Sequence, residues 1–125
     1  MKVGKVFAIV LAIALPWEVI ADSGMKEGAR IYNKCRGCHT LAPGKNRIGP
    51  SLSGLFGRQP GTSLKFRFST GMREFGIDKV WTRELFLIYI EKPRQVVKGT
   101  AMAFPGIKAK RDRENLTNYL LRATK

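Results

Sequence analysis

The chain is poor in side chains that cross-link or bind metals: its 125 residues hold two cysteines and one histidine. A multi-disulfide framework is therefore excluded, and one bridge inside a CxxC would close too small a loop to stabilise much. Acidic residues are scarce too, at nine against 23 Lys and Arg, for a formal net charge of +14. Long apolar runs are missing as well. Val6 to Leu15 is unbroken but ends at Pro16, with Glu18 just beyond, short of the roughly 17 to 25 residues that cross a bilayer. No credible strand pair, internal repeat or long linker is present, which leaves helices and loops.

At this length the chain makes one small domain. Lys2 and Lys5 precede the apolar run, and Val19-Ile20-Ala21 ends it with small or apolar residues. That layout predicts a secretory signal peptide over 1–21, cleaved after Ala21, and an exported domain over 22–125 in the periplasm. A retained anchor is the alternative, and the shortness of the run argues against it. Two lysines and one glutamate leave with the leader, so the remainder stays strongly basic. A domain this small buries too little of its own surface to be comfortably stable, and such domains commonly lean on disulfides, metals or cofactors.

Residues 24–37 read as a first helix, with Ser23 as its cap. From Thr40 to Gly61 glycine and proline recur densely, predicting loops with at most one helical turn around Leu52 to Phe56. Residues 82–92 fit a helix capped by Thr82, with Leu85, Ile88 and Tyr89 on one face, stopped by Pro93. Residues 96–106 read as loop. Residues 107–123 form the last helix, where Leu116, Tyr119, Leu120 and Ala123 make one stripe. Loops this long need something to wrap around.

All three metal-seeking side chains fall within Cys35-Arg36-Gly37-Cys38-His39. On a helix, positions i, i+3 and i+4 share a face, so two thiols and an imidazole can reach one flat object together. The pattern C-x-x-C-H is read as attachment of c-type haem, the sulfurs joining the porphyrin and the histidine binding iron. A thiol redox pair usually comes with a βαβ pattern, absent here, and a tetrahedral zinc site needs a second Cys or His pair. A haem that only moves electrons wants a second axial ligand, and methionine is the natural candidate. Met102 lies in the Gly- and Pro-bounded stretch Gly99 to Gly106, with apolar neighbours. Met72 is the alternative but sits beside Arg73 and Glu74, a wetter setting.

Taken with GPSLSGLFGR (Gly49 to Arg58), Trp81, Tyr89, Pro93, KGTAMAFPGI (Lys98 to Ile107) and ENLTNYLLRATK (Glu114 to Lys125), the chain resembles class I c-type cytochromes. The likeness is to the bacterial cytochrome c2 and mitochondrial cytochrome c group and covers nearly all of residues 24–124. It implies an all-α, single-domain class I cytochrome c fold, helices and loops wrapped around one covalent haem c. Cys35 and Cys38 would hold the haem, and His39 and Met102 would be the axial ligands. The resemblance further implies that the Pro50 carbonyl accepts from the His39 ring and that Arg58 and Trp81 meet a buried propionate. Tyr89 and Thr100 would line the Met102 side, Phe104 would cover the haem edge, and Gly28 would let the first helix cross the last beside Tyr119. Simple core packing of Trp81, Tyr89 and Phe104 is compatible with these roles. Two departures stand out: Phe68 and Thr70 occupy a loop where relatives often place tyrosines, and Ala101 replaces a lysine before the methionine, with Arg94 and Gln95 at other edge positions.

The function expected is that of a soluble one-electron carrier, not an enzyme, shuttling electrons between respiratory or photosynthetic complexes. Its partners would be acidic redox proteins: a quinol-cytochrome c oxidoreductase, a terminal oxidase or reductase, a photosynthetic reaction centre or a dehydrogenase. A monomer with only peripheral membrane contact is expected. Lys34, Lys45, Arg94, Lys108 and Lys110 are candidates for a docking face, although each reads equally as a merely solvated charge. A cytochrome with an open iron site, as an enzyme or gas binder, is the other reading of the same motif. Charge alone would also suit a nucleic-acid binder. Export argues against that, and the run Lys108 to Glu114 mixes in acids as a solvated helix does.

Overall fold

Two stretches with helical spacing of apolar residues lie at opposite ends of the chain, and folding brings them together. The computed structural model describes residues 1, 3, 9 and 17–125, for 17–21 the backbone alone. Helices run in the order α1 (Trp17–Tyr32), α2 (Thr70–Phe75), α3 (Arg83–Glu91), α4 (Pro93–Val96) and α5 (Lys110–Ala123). No strand occurs among the described residues, in keeping with the all-α expectation. Most of the expected leader lies outside the described residues, and the junction after Ala21 falls within α1. No described helix is long and apolar enough to cross a membrane.

The crossing of α1 with α5 is the most extensive helix contact. Ile31 from α1 and Leu116 and Leu120 from α5 are fully buried there. Gly28 makes the close approach possible, because a Cβ on it would overlap the Asn115 carbonyl and lie 2.6 Å from Tyr119 Cβ. One turn further on, the Tyr32 and Tyr119 rings meet at 5.7 Å. Thr117 is buried without a place in the apolar stripe, since its hydroxyl donates to the Arg113 carbonyl at 2.6 Å.

Helix boundaries depart from the spacing-based expectation at four places. First, α1 starts earlier and stops at Tyr32, so Ser23 sits inside the helix and the CRGCH stretch lies on turns. Those turns mix bond types: Cys38 N–H reaches the Cys35 carbonyl at 3.0 Å, and His39 N–H reaches the same carbonyl at 2.9 Å. Gly37, a poor helix former, lies between the cysteines where the regular ladder is lost. Second, α2 was not foreseen. Ser69 caps it by accepting the Met72 N–H at 3.2 Å.

Third, Thr82 does cap α3, accepting from Leu85 N–H at 3.1 Å, yet the buried face is Phe86, Tyr89 and Ile90 while Ile88 is exposed. Packing against α5 and around Trp81 decides that face, which spacing alone leaves rotated by one position. Pro93 then ends one helix and opens the next, at the first position of α4, where its missing N–H costs nothing. Fourth, α5 begins at Lys110 because Ile107 N–H donates to the Ile90 carbonyl at 2.8 Å, holding 107 against α3. Between α1 and α2 the chain is loop, stitched by Leu52 N–H to Thr40 O at 2.9 Å and Gly54 N–H to Thr124 O at 2.7 Å. The single turn expected near Leu52 is present as Leu55 N–H to Leu52 O at 3.1 Å.

Gly28→Ala is expected to destabilise the protein towards the upper end of the about 1–3 kcal/mol that overpacking costs, because backbone on α5 has to move. Gly37→Ala, where a Cβ meets nothing within 4 Å, is expected to stay within about 0.5 kcal/mol. Urea unfolding of the two variants checks the pair.

Candidate functional site

The loop ladder places His39 first. Gly49 N–H bonds the Cys38 carbonyl at 2.8 Å, which lays Gly49 flat against the imidazole; a Cβ there would lie 2.5 Å from His39 Cε1. The next residue offers its carbonyl to the ring, with Nδ1 and Pro50 O 2.7 Å apart. A carbonyl only accepts, so Nδ1 carries the proton and Nε2 keeps its lone pair. Burial lowers the His39 pKa, with the Pro50 bond pulling the other way, and the neutral ring is the metal-binding form. Tyr32, whose hydroxyl lies 3.4 Å from the His39 carbonyl, links the site to the α1 core.

Cys35 is half-buried and Cys38 exposed, both with free thiols. Burial pushes the Cys35 thiol up to about 11, Cys38 adding to the rise and Lys34 opposing it. That thiol is protonated near neutrality, the wrong setting for a reactive redox pair. Among the described residues no cluster of three or more His, Cys, Asp or Glu converges as a metal site, which leaves the zinc reading without its remaining ligands.

Across a cavity of about 450 Å³ stands Met102. Its N–H donates to Thr100 Oγ1 at 3.2 Å, and the Tyr89 hydroxyl donates to its sulfur at 3.6 Å. Burial raises the Tyr89 pKa, so the phenol remains a donor. Tyr89 is held in turn by Trp81, the two rings 4.9 Å apart. Trp81 is tied to Arg58 by backbone, its N–H donating to the Arg58 carbonyl at 2.9 Å. The Arg58 guanidinium donates to the Ser53 and Ser51 carbonyls at 2.9 and 3.5 Å. Burial lowers its pKa, and no carboxylate pairs with it among the described residues.

Every site residue expected from the sequence, Cys35, Cys38, His39, Pro50, Arg58, Trp81, Tyr89, Thr100, Met102 and Phe104, lines this one cavity. The lining also includes residues that sequence reasoning passed over or misjudged. Met72 is buried and faces the cavity, so the wet setting inferred from Arg73 and Glu74 is corrected: those two lie on the exposed side of α2. The 3.6-residue period of α2 was the available signal, hidden by the brevity of the helix. Of the two positions noted as departures, Phe68 lines the cavity, its ring 4.8 Å from Phe66, whereas Thr70 opens α2 and does not line it.

The wall fits a flat, largely apolar group that carries acids. Among the described residues its charged lining is Lys34, Arg58 and Arg67, with no Asp or Glu; Lys34 and Arg67 are exposed, and it is the half-buried Arg58 that wants an anion. Two thiols, a neutral imidazole and a thioether are the donor set that haem attachment and ligation use. Of the five candidate docking cations all are exposed. Lys108 Nζ is engaged with the Glu91 carbonyl at 2.8 Å and Lys110 lies 3.9 Å from Glu114. No carboxylate partners Lys34, Lys45 or Arg94 among the described residues.

Comparison with known proteins agrees with this chemistry. The family model for cytochrome c matches residues 25–124. The chain is similar to cytochrome c of Stellaria longipes, 39% identical over 83% of this chain and 96% of the relative. It is likewise similar to cytochrome c2 of Blastochloris viridis, 39% identical over 74% and 72%, and of Rhodoblastus acidophilus, 38% identical over 74% and 86%. The chain belongs to the cytochrome c family, whose members bind one covalently attached haem c, and its CRGCH stretch carries the CxxCH pattern of that attachment.

Proposed function

We propose that the protein is a one-electron carrier in which Cys35 and Cys38 hold the haem covalently and His39 and Met102 bind its iron from opposite faces. The observation that carries the reading is the pairing of a fixed imidazole with a fixed thioether across one apolar cavity: His39 held by Pro50, Met102 by Tyr89 and Thr100. When bound, the haem supplies one iron that alternates between ferric and ferrous. The residues around it set how easily it does so. Methionine ligation favours the ferrous state, and a closed apolar wall favours it further. The Pro50 bond orients the imidazole and raises its basicity. Arg58, with Trp81 beside it, would meet a haem carboxylate, and Phe104 would cover the ring edge. With His39 and Met102 both holding the iron, no open position would remain for a substrate, which would separate a carrier from an enzyme.

The basic surface suits brief docking of acidic redox proteins, such as a quinol-cytochrome c oxidoreductase, a terminal oxidase or reductase, a photosynthetic reaction centre or a dehydrogenase. Lys34, Lys45 and Arg94, without carboxylate partners of their own, are its best-placed cations. The leader layout of residues 1–21 supports export to the periplasm, with 22–125 as the working domain.

Met102→Ala is expected to keep the haem attached, to lower the midpoint potential by more than about 0.1 V within the about 0.8 V that axial ligation spans, and to let the ferrous protein bind CO. The wild type is expected not to bind CO without denaturant. An axial methionine resonance that survives the substitution in NMR would give the ligand role to another residue.

Electron transfer to an acidic partner is expected to slow by about tenfold or more between roughly 0.01 and 0.15 M salt, as the Debye length falls from about 30 to about 8 Å. Stopped-flow rates against ionic strength measure this, and a flat response removes the docking face.

A further inference from the structure

The loop carrying Met102 is fastened on its C-terminal side by groups that lie outside the cavity. Arg113, in the second turn of α5, has a side chain only 12% exposed. One of its guanidinium nitrogens donates to two consecutive loop carbonyls, Ile107 O at 3.0 Å and Lys108 O at 2.6 Å. The other lies 3.4 Å from the Glu91 carboxylate at the end of α3. Lys108 reaches back to the same place, its ammonium 2.8 Å from the Glu91 carbonyl and 3.4 Å from that of Pro105. Beneath them Gly106 has a φ of 100° and presses on Glu91 with no room for a Cβ, while Ile107 N–H is bonded to Ile90 O. The 105–108 segment is therefore held to α3 and α5 at several points, and only Ala103 and Phe104 separate it from Met102.

We infer that Arg113 is the positioning residue that keeps this loop closed, so that the Met102 sulfur stays over the cavity and external ligands are kept from the iron; the inference rests on Met102 being the sixth ligand. Arg113 suits the task because a guanidinium fork can hold two carbonyls and a carboxylate at once, whereas a lysine offers a single point charge. The bonds it makes tie residues 107 and 108, next to the Met102 loop, to the end of α3. Losing them raises the fraction of molecules with the loop open, and the apparent affinity of any ligand that needs the open form rises in proportion.

Imidazole titration of the ferric holoprotein tests this, with urea unfolding of the same samples. Arg113→Gln is expected to raise apparent imidazole affinity by roughly tenfold or more, and Arg113→Lys to recover part of the difference. Lys108→Met, a change on an exposed side chain that leaves the fold in place even where Arg113→Gln does not fold, is expected to give a rise of about threefold. Ile31→Val, buried at the α1–α5 crossing away from the loop, is expected to lower urea stability while leaving imidazole affinity within about twofold of wild type. Unchanged affinity in Arg113→Gln and Lys108→Met, or an equal rise in Ile31→Val, overturns the inference. A wild-type protein without an axial methionine resonance overturns the ligand assignment beneath it, a different result from one that shows the resonance and an unaltered loop.

Discussion

The cavity is the constraint on which the rest of the molecule depends. A domain of this size has apolar side chains for one core only, and most of that core, Leu55, Met72, Trp81, Phe86, Tyr89, Ile90 and Leu120, also lines the cavity wall. These side chains find their remaining contacts on whatever fills the space, so a bound haem completes the core as well as supplying the chemistry. The long loops follow from this. Residues 33–69 contain no helix, and a segment of that length is stitched internally through Cys38 and Thr40, tied to Thr124, and closes over one side of the same space.

The polar groups that enter the wall are few and each has a definite partner or charge. His39 is neutral and aimed by Pro50, Tyr89 is a protonated donor to Met102, and Arg58 is a half-buried cation satisfied by carbonyls. Burial acts on the first two in the direction that suits an uncharged imidazole and an intact phenol, while for Arg58 it works against the charge that a carboxylate would restore. Outside, the formal net charge is +14 and most of the described Lys and Arg side chains are exposed, where single ion pairs add little stability but the summed field reaches a partner before contact. The same protein therefore keeps its electrostatics short-ranged within and long-ranged without. Arg113 stands between the two regimes, nearly buried yet tied to an exposed carboxylate, and its bonds fall on the loop that brings Met102 to the cavity.

Much of the site was legible in the order of residues because its chemistry is carried by rare types. With two cysteines and one histidine the thiol-redox and zinc readings lack their partners, and Gly and Pro around Met102 mark a loop. The caps of α3 and the stripe on α5 could also be read, since Thr82 and the Leu116–Leu120 spacing act locally. What escaped were features fixed by distant partners. Met72 looks wet beside Arg73 and Glu74 and is buried because α2 turns that one side inward. Ile88 looks like core and is exposed, because α3 is oriented by Trp81 and α5.

By itself the sequence determined the donor set, the helical class and the basic charge, because these depend on residue type and local spacing, whereas the Gly28 contact was implied only by the resemblance to class I cytochromes. Tertiary structure alone decided where α1 ends, which faces of α2 and α3 point inward, that ten residues from several segments meet at one cavity, and that Arg113 grips the Met102 loop. Those choices are set by packing between segments far apart in the chain, where the energy of a contact depends on a neighbour that no local pattern names.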